Sequence, residues 1–410
     1  MTTGSTIQRI LVCGGGNGAH CLAALAASRP NLEVNVLTLF QDEAERWSKI
    51  LEGANIKLSI TNNDGSQTEI SSKPFVVTKD PEKALQGVEI IFLVVPAFAH
   101  AQYFTAMTPY LQPNTLIVGL PGLAGLTFQG RSILGDKASM CTIASFETLP
   151  WACRILEFGK HVQVLGIKES LGMAYFSGKQ CKHSFPIVDT IQGILGDKPK
   201  VEVFQNYIAL NLMADGTVHP PIMYGRWGTW DGKPLDEKPL FYQGVDERQA
   251  ELLTKVSEEV IATGKEFEKL RSGIDMSEVV HVFDWYKIHY KDQIADTSSL
   301  MMAMRTNKAY NGLVHPMKDT GNGFVPDFNY RYISEDIPFG LVVMKGIAQI
   351  AGVETPTIDE IIAWAQQKLG KEYIVGSKLS GKDVASTRAP QAYGIMNGLM
   401  LLNLNQFGIP

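Results

Sequence analysis

Four glycines fall within five residues near the start of this 410-residue chain, directly after an apolar run. The stretch reads LVCGGGNGAHC from Leu11 to Cys21. Glycine inside a helix or strand costs about 0.5–1 kcal/mol relative to alanine, so this density indicates a tight turn or a close approach of backbone to another group. The string fits G-x-G-x-x-A between a predicted strand and a predicted helix, the context that a dinucleotide-binding loop requires. A strand–helix turn that is merely rich in glycine is the alternative.

The glycine loop assigns specific tasks to its residues. Gly14 is expected to make the tight turn, Gly16 to let a pyrophosphate approach the backbone, and Ala19 to allow close helix–strand packing. The helix N-terminus attracts the phosphates. The predicted cofactor-binding loop comprises Gly14, Gly15, Gly16, Asn17, Gly18 and Ala19.

The second predicted strand ends without the acidic residue that usually binds the ribose of NAD. Thr38 occupies that place in LTLFQDEAERW, and Asp42 and Glu43 follow slightly late. No arginine follows the strand directly, so a 2′-phosphate has no evident partner, and Arg46 is one turn into the next helix. We therefore expect NAD rather than NADP as the cofactor, with Thr38 at its site.

Strand-like and helix-like segments alternate in the first half of the chain. Strands of a parallel sheet covered on both faces are apolar along their whole length. Six runs have this character: RILVCG, EVNVLTLF, GVEIIFLVVP, NTLIVGLP, CTIASFE and VQVLG. The segment IKLSITNNDGSQTEIS is instead predicted to be a hairpin that turns at Asp64-Gly65. This pattern predicts an α/β fold with a Rossmann-like, doubly wound parallel sheet over residues 1–203. Long amphipathic segments then predict a mainly α-helical domain over residues 204–410: QAELLTKVSEEVIATGKEFEKL, MSEVVHVFDWYKIHY and TIDEIIAWAQQKL.

In such a sheet, ligands bind at the carboxyl ends of the strands. Pro96 and Ala97 end the fourth strand in VVPAFAH, so we expect them to border the nicotinamide side of the crevice. Simple loop geometry would explain the same residues.

Composition excludes several classes of protein. The net charge of −5 gives no support for nucleic-acid or membrane-surface partners. No apolar stretch reaches the roughly 18 residues of a membrane span, and the N-terminus has no apolar signal-peptide region. The five cysteines are odd in number, widely spaced and free of any CxxC pair, which argues against disulfides and a zinc site. We expect a soluble cytoplasmic protein without a metal.

Two dense segments of the second half carry candidate chemistry. His219 lies in TVHPPIMYGRWGTWDGKP, and a histidine suits the proton donor that a dehydrogenase needs beside its hydride acceptor; a structural core histidine is the alternative. PDFNYRYISEDIPFG contains Arg331 and Asp336. The arginine could bind a carboxylate or pyrophosphate, and the acid could orient the histidine. Alternatively, Ser334-Glu335-Asp336 could cap the helix that follows.

Many of these strings resemble those of the opine dehydrogenases of marine invertebrates, from about residue 9 to residue 394. The matching strings are CGGGNGAH, VLTLFQDEAERW, VVPAFAH, SFETLPWACR, VHP with GRWGTWDGKP, FYQG, TNKAYNGLVHP, RYISEDIP and GKDVASTRAPQ. The resemblance implies NADH-dependent reductive condensation of pyruvate with an amino acid, which regenerates NAD in anaerobic glycolysis. It also implies an N-terminal nucleotide-binding domain, a helical second domain, substrates in the cleft between them, and a monomer.

The resemblance also implies roles for individual residues. His219 would be the proton donor or acceptor, and Asp336 would orient it. Arg331 would meet the cofactor pyrophosphate or assist domain closure. The residues implied for the amino-acid pocket are Glu147, Thr148 and Cys153.

Asp215 marks a departure from the family pattern, because the arginine-using member has an aromatic residue at this position, four residues before His219. Asp215 would lie on the amino-acid side or cap a turn with Gly216. The amine substrate therefore stays open among arginine, taurine, alanine, glycine and β-alanine.

Two other functions compete with this interpretation. The first is another NAD(P)-dependent dehydrogenase that acts on a 2-hydroxy acid or a polyol phosphate and needs no amine. The second is a non-catalytic, NADH-sensing protein. The set of His219, Arg331 and Asp336 favours an enzyme, because a sensor needs no proton donor.

Overall fold

The computed structural model describes residues 8–61 and 66–405. Tertiary contacts divide the chain into two units. Of the described residues, the first unit contains those up to Gly122 together with Gln129–Val203, and the second contains Leu123–Phe128 together with residues 204–405.

Strands and helices alternate up to Val203. The strands are β1 (Gln8–Cys13), β2 (Leu32–Leu37), β3 (Ile56–Thr61), β4 (Gln67–Ser72), β5 (Val76–Thr78), β6 (Ile90–Leu93), β7 (Leu116–Gly119), β8 (Thr142–Phe146), β9 (Trp151–Glu157), β10 (His161–Ile167), β11 (Ser170–Ser177) and β12 (Lys200–Val203). The helices are α1 (Asn17–Ala27), α2 (Glu43–Leu51), α3 (Pro81–Ala84), α4 (Ala97–Met107), α5 (Leu126–Leu134) and α6 (Ile187–Leu195).

An eight-stranded sheet forms the centre of the first unit, in the order β12-β11-β8-β7-β6-β1-β2-β5. Neighbouring strands are parallel except β8 and β11, which run antiparallel. The four residues of β6 and the four of β7 are buried, as expected for strands covered on both faces. This sheet confirms the predicted α/β fold, and it brings the carboxyl ends of β1 and β6 side by side.

A second sheet of four strands has the order β4-β3-β10-β9. The predicted hairpin is confirmed as the antiparallel pair of β3 and β4, although its predicted turn lies outside the described residues. The prediction that VQVLG belongs to the parallel sheet was wrong, because β10 pairs with β3 and with the antiparallel β9. Val162 and Val164 are buried while their neighbours along β10 are not, an alternation typical of a sheet with one covered face.

Helix α1 packs against strands of both sheets. Residues 18–26 are all buried, which is the expected pattern for a helix that is apolar around its whole circumference. The N-terminus of α1, directly after the glycine loop, is thereby fixed within the first unit.

The second unit is mainly helical, as predicted. Its helices are α7 (Tyr207–Leu212), α8 (His219–Trp227), α9 (Glu247–Leu270), α10 (Val282–His289), α11 (Leu300–Arg305), α12 (Arg331–Ser334), α13 (Val342–Ala351), α14 (Pro356–Leu369) and α15 (Gly398–Asn405). A π-helical turn spans Ile337–Leu341, and β13 (Met317–Asp319) pairs with β14 (Phe324–Pro326).

The predicted helix in MSEVVHVFDWYKIHY is shorter than its amphipathic pattern. His281 is extended and its ring accepts a hydrogen bond from the backbone N–H of Phe283, so α10 begins only at Val282. No helix of the described chain has the length and apolar run that a membrane crossing requires.

Candidate active site

The glycine loop joins β1 to α1 at the carboxyl edge of the large sheet. Gly14 has a φ of +116°, and a Cβ at this position would lie 2.6 Å from the carbonyl oxygen of Val94. Both observations exclude a larger residue, because L-residues avoid this φ and the backbone beyond β6 cannot recede. Gly14 therefore makes the tight turn that its position in the sequence predicted.

Gly16 presents the opposite situation. It precedes the first residue of α1 and is exposed, and a Cβ built on it would meet nothing within 4 Å. Gly16 is the N-cap residue of α1 and, as a glycine, has no side chain with which to cap this end. The protein's own packing does not require glycine here, whereas a pyrophosphate on the backbone N–H groups of the first turn would. The loop therefore fits a dinucleotide.

The other loop residues are mainly packing residues. Ala19 is fully buried, and a Cβ on Gly18 would lie 3.0 Å from a methyl group of Val94. The Asn17 side chain accepts a hydrogen bond from the backbone N–H of Ile155 in β9, at 2.8 Å. These contacts hold the start of α1 against its neighbours.

Glu43 supplies a carboxylate at the end of β2, where the sequence has Thr38 in place of the usual acidic residue. The Thr38 hydroxyl, at the end of β2, donates to Oε2 of Glu43 at 2.7 Å, and a Cβ on Gly15 would collide with the same carboxylate. The acid thus reaches back from the first residue of α2 and lies over the glycine loop. In the sequence Glu43 follows the end of β2 slightly late for this role. The direction in which α2 begins brings its carboxylate back to the end of the strand.

Pro96 and Ala97 follow the carboxyl end of β6, the strand beside β1. Pro96 is exposed and precedes α4, while Ala97 is the buried first residue of that helix. Because β6 is hydrogen-bonded to β1, this turn and the glycine loop share one edge of the sheet. The structure brings together these two predicted parts of the cofactor site.

Glu147, Thr148 and Cys153 belong to the first unit and are all buried. Oε1 of Glu147 accepts a hydrogen bond from the backbone N–H of Gly172 at 2.9 Å, which is a structural role. Cys153 packs in the core, where a hydrogen bond with the Cys21 thiol lowers its pKa. The assignment of these residues to the amino-acid pocket stays a prediction.

His219 is the first residue of α8, and Pro220 and Pro221 occupy the positions where proline suits a helix start. Its Nδ1 lies 2.6 Å from Oδ2 of Asp336, and its Nε2 lies 2.6 Å from the hydroxyl oxygen of Tyr242. Asp336 is 3% exposed, so its carboxylate is shielded from water. The structure therefore joins the two residues predicted to be catalytic.

A glycine–glycine contact explains why these distant residues meet. Gly216 lies in the turn before His219, and Gly340 lies in the π-helical turn that follows Asp336. A Cβ on Gly340 would lie 2.7 Å from the Cα of Gly216. The two backbones therefore touch, and this contact fixes the distance between the imidazole and the carboxylate.

Aromatic rings surround the imidazole of His219. Tyr332 stacks on it with ring centroids 3.9 Å apart, and Phe241 lies 5.8 Å away. Burial, followed by the neighbouring phenols and Asp215, raises the pKa of Tyr242 well above its ordinary value, so its hydroxyl keeps its proton. Sequence reasoning assigned no role to Tyr242, although the motif FYQG contains it.

Asp336 occupies the N-cap position of the π-helical turn that leads directly into α13, where the alternative interpretation placed a helix start. Its side chain makes no capping hydrogen bond there and bonds His219 instead. Nε of Arg331 pairs with Oε2 of the buried Glu335 at 3.1 Å. Asp215 is half-buried in a short 3-10 turn.

The described residues contain no group of three or more His, Cys, Asp or Glu side chains that could hold a metal ion. A Rossmann-type loop on one unit and a buried His–carboxylate pair on a helical unit together define the class of two-domain, nucleotide-dependent dehydrogenases.

Comparison with known proteins narrows this class. The family profile described as "NAD/NADP octopine/nopaline dehydrogenase, alpha-helical domain" matches residues 203–369. An opine dehydrogenase of Haliotis discus hannai is 51% identical over 96% of this chain and 98% of its own. A tauropine dehydrogenase of Arabella iricolor is 48% identical over 94% of this chain and 97% of its own.

A solved structure of octopine dehydrogenase with NADH and pyruvate is 47% identical and covers 98% of this chain and all of its own, with a TM-score of 0.88. The chain belongs to the opine dehydrogenase family.

Proposed function

We propose that this protein is an NADH-dependent opine dehydrogenase. It condenses pyruvate with the amine of an amino acid and reduces the resulting imine to a secondary amine with two acidic groups, which regenerates NAD in anaerobic glycolysis. The observation that carries the proposal is the hydrogen bond of 2.6 Å between His219 and the buried Asp336. The closely similar octopine and tauropine dehydrogenases support it.

The cofactor site is proposed on the first unit. The first-turn N–H groups of α1, left open at Gly16, would bind the pyrophosphate, and Glu43 with Thr38 would bind the ribose hydroxyls. A carboxylate at this place repels a 2′-phosphate, which favours NAD over NADP. NADH, when bound, supplies the hydride.

The proton comes from His219. Asp336 is a carboxylate and only accepts hydrogen bonds, so it fixes the proton on Nδ1 and orients the ring. Nε2 is then the one ring nitrogen that can exchange a proton with the substrate. A protonated imine accepts hydride more readily than a neutral one. In the reverse reaction Nε2 of His219 takes the proton back.

We propose that the charged side chains of Arg331 and Asp215 contact the substrates or the cofactor. Arg331 is suited to bind a carboxylate or the pyrophosphate. Asp215, whose charge acts on Arg331 and on Tyr242, would favour a cationic amine over an anionic one. Arginine, taurine and small neutral amino acids are the candidate amines. We place the protein in the cytoplasm as a monomer, in keeping with five unpaired thiols.

The test is the oxidation of NADH with pyruvate held constant while arginine, taurine, alanine, glycine and β-alanine are added one at a time. The proposal predicts turnover that requires one amine, with an opine identified by mass spectrometry. Turnover with pyruvate alone would assign a hydroxy-acid dehydrogenase instead. NADH binding without turnover under every condition would assign a nucleotide sensor.

A further inference from the structure

Both ring nitrogens of His219 have a hydrogen-bond partner in the structure. Asp336 binds Nδ1, and the hydroxyl of Tyr242 lies 2.6 Å from Nε2. Nε2 is the nitrogen that must hold and release the catalytic proton. The group that faces this nitrogen is therefore a phenol.

Tyr242 is held firmly in this place. The side chain is buried, and its ring stacks on Tyr310 with centroids 3.9 Å apart. Phe241 packs against the same ring at 4.8 Å and at nearly a right angle. The phenol also hydrogen-bonds that of Tyr332, the residue that stacks on the imidazole. Tyr242 therefore has fixed contacts on its faces, its edge and its hydroxyl.

We propose that Tyr242 is a positioning residue for the reaction, and that its hydroxyl orients the imidazole of His219 through Nε2 until the substrate replaces it at that nitrogen and exchanges the proton. This inference rests on the proposed function. A phenol suits the task because it can both donate and accept a hydrogen bond. When the imidazole is neutral, the Tyr242 hydroxyl donates to Nε2. When the imidazole is protonated, Nε2–H donates to the Tyr242 oxygen.

The consequence is that the ring is already oriented, in either protonation state, when the substrate arrives. Asp336 holds Nδ1 throughout, and Tyr242 holds Nε2 until the substrate takes its place. With Asp336 alone, the imidazole could swing about the Nδ1 hydrogen bond, and misorientation of a proton donor lowers turnover without changing cofactor binding.

The direct test is Tyr242→Phe, which deletes only the hydroxyl and retains the ring packed on Tyr310 and Phe241. We expect kcat to fall by about tenfold or more, the scale of one hydrogen bond that orients the imidazole before proton transfer, with the Kd for NADH within about twofold. The matched control is Tyr310→Phe. It makes the same change in the stacked ring, whose hydroxyl bonds Tyr286 and not His219, and we expect near-normal kcat.

A double variant separates positioning from general support of the fold. If Tyr242 acts through His219, Tyr242→Phe should cause almost no further loss in a His219→Asn background, because the two effects then share one mechanism. Full additivity of the two losses would overturn the inference, as would wild-type kcat in Tyr242→Phe. Wild-type kcat in His219→Asn alone would instead overturn the proposed function, so the two failures are distinguishable.

Discussion

The proposed chemistry of this protein depends on one imidazole, that of His219, whose two nitrogens face different partners. Asp336 is buried, and a buried carboxylate without a hydrogen-bond donor is costly. The Nδ1–H of His219 meets that need and in return receives a fixed tautomer. Each member of the pair therefore stabilises the other, and this allows the proposed proton donor and its carboxylate to lie in the interior of the helical unit.

Glu43 gives the residue-scale prediction for the cofactor. Glu43→Ala removes the carboxylate that lies over Gly15 and accepts from Thr38, so two hydrogen bonds to the ribose would be lost. We expect the Kd for NADH to rise by at least about tenfold, because a hydrogen bond to a charged group contributes roughly 1.5–3 kcal/mol. The preference for NADH over NADPH should shrink, because the repulsion of a 2′-phosphate is also lost. Fluorescence titration with both nucleotides measures these effects.

Glu45→Ala is the control for this variant. Glu45 lies in the first turn of the same helix but is exposed, so its removal should leave both affinities unchanged. Equal effects of the two substitutions would contradict a specific role for Glu43.

The residues that sequence alone identified are those with a fixed place in a motif. The glycine loop was predictable because each glycine answers a local backbone requirement. His219 and Asp336 were predictable as a pair only through the family resemblance, since 117 residues separate them. Tyr242 and Glu43 were not predictable, because their roles arise from a tertiary contact and from the direction in which a helix leaves its strand.

At the scale of elements, the contact between Gly216 and Gly340 sets the geometry of the pair. A Cβ on Gly340 would lie 2.7 Å from the facing Cα, closer than carbon atoms can approach. Gly340→Ala must therefore separate the π-helical turn from the turn that precedes His219. We expect kcat to fall by about tenfold or more as the hydrogen bond to Asp336 lengthens, and the free energy of unfolding to drop by about 1–3 kcal/mol.

Gly193→Ala provides the comparison for that substitution. Gly193 lies inside α6, and a Cβ there would meet nothing within 4 Å, so we expect unchanged kcat and slightly higher stability. Unchanged activity in Gly340→Ala, measured beside this control, would show that the contact between Gly216 and Gly340 does not position His219 and Asp336.

The elements themselves were largely predictable from apolar pattern, and the exceptions have physical reasons. The run VQVLG has the composition of a central strand, yet β10 belongs to the smaller sheet that covers α1. Composition does not reveal which strand a chain segment will pair with. The start of α10 was misplaced because His281 caps the helix through its ring, and histidine is not among the usual capping residues.

At the scale of the whole molecule, each unit contains a buried neutral histidine that makes stability depend on pH. In the first unit, burial lowers the pKa of His20 to about 4, against weaker upward contributions from backbone hydrogen bonds. In the second unit, burial and then the charge of Arg226 lower the pKa of His315 to about 3. His20 accepts a hydrogen bond from the N–H of Gly159 at 3.0 Å, which a protonated ring could not do.

The sign of the effect follows from proton binding. The unfolded chain takes up protons near pH 6.5 and the folded chain does not, so the stability is complete above that pH and is lost as the pH falls toward 4. We expect each histidine to lower the free energy of unfolding by about 1.4 kcal/mol between pH 7.5 and 5.5. Urea unfolding at both pH values measures this, and His20→Gln should reduce the dependence. Equal stability at the two pH values would contradict the burial of neutral histidines.

We propose that the two units divide the reaction between them: the first binds the cofactor and the second supplies the proton. The most direct test is His219→Asn, with NADH affinity measured by fluorescence and kcat measured with pyruvate and the preferred amine. We expect the Kd for NADH to stay within about twofold while kcat falls by at least about 100-fold, the usual loss when general acid–base catalysis is removed. Near-normal kcat in this variant, or loss of NADH binding together with activity, would contradict it.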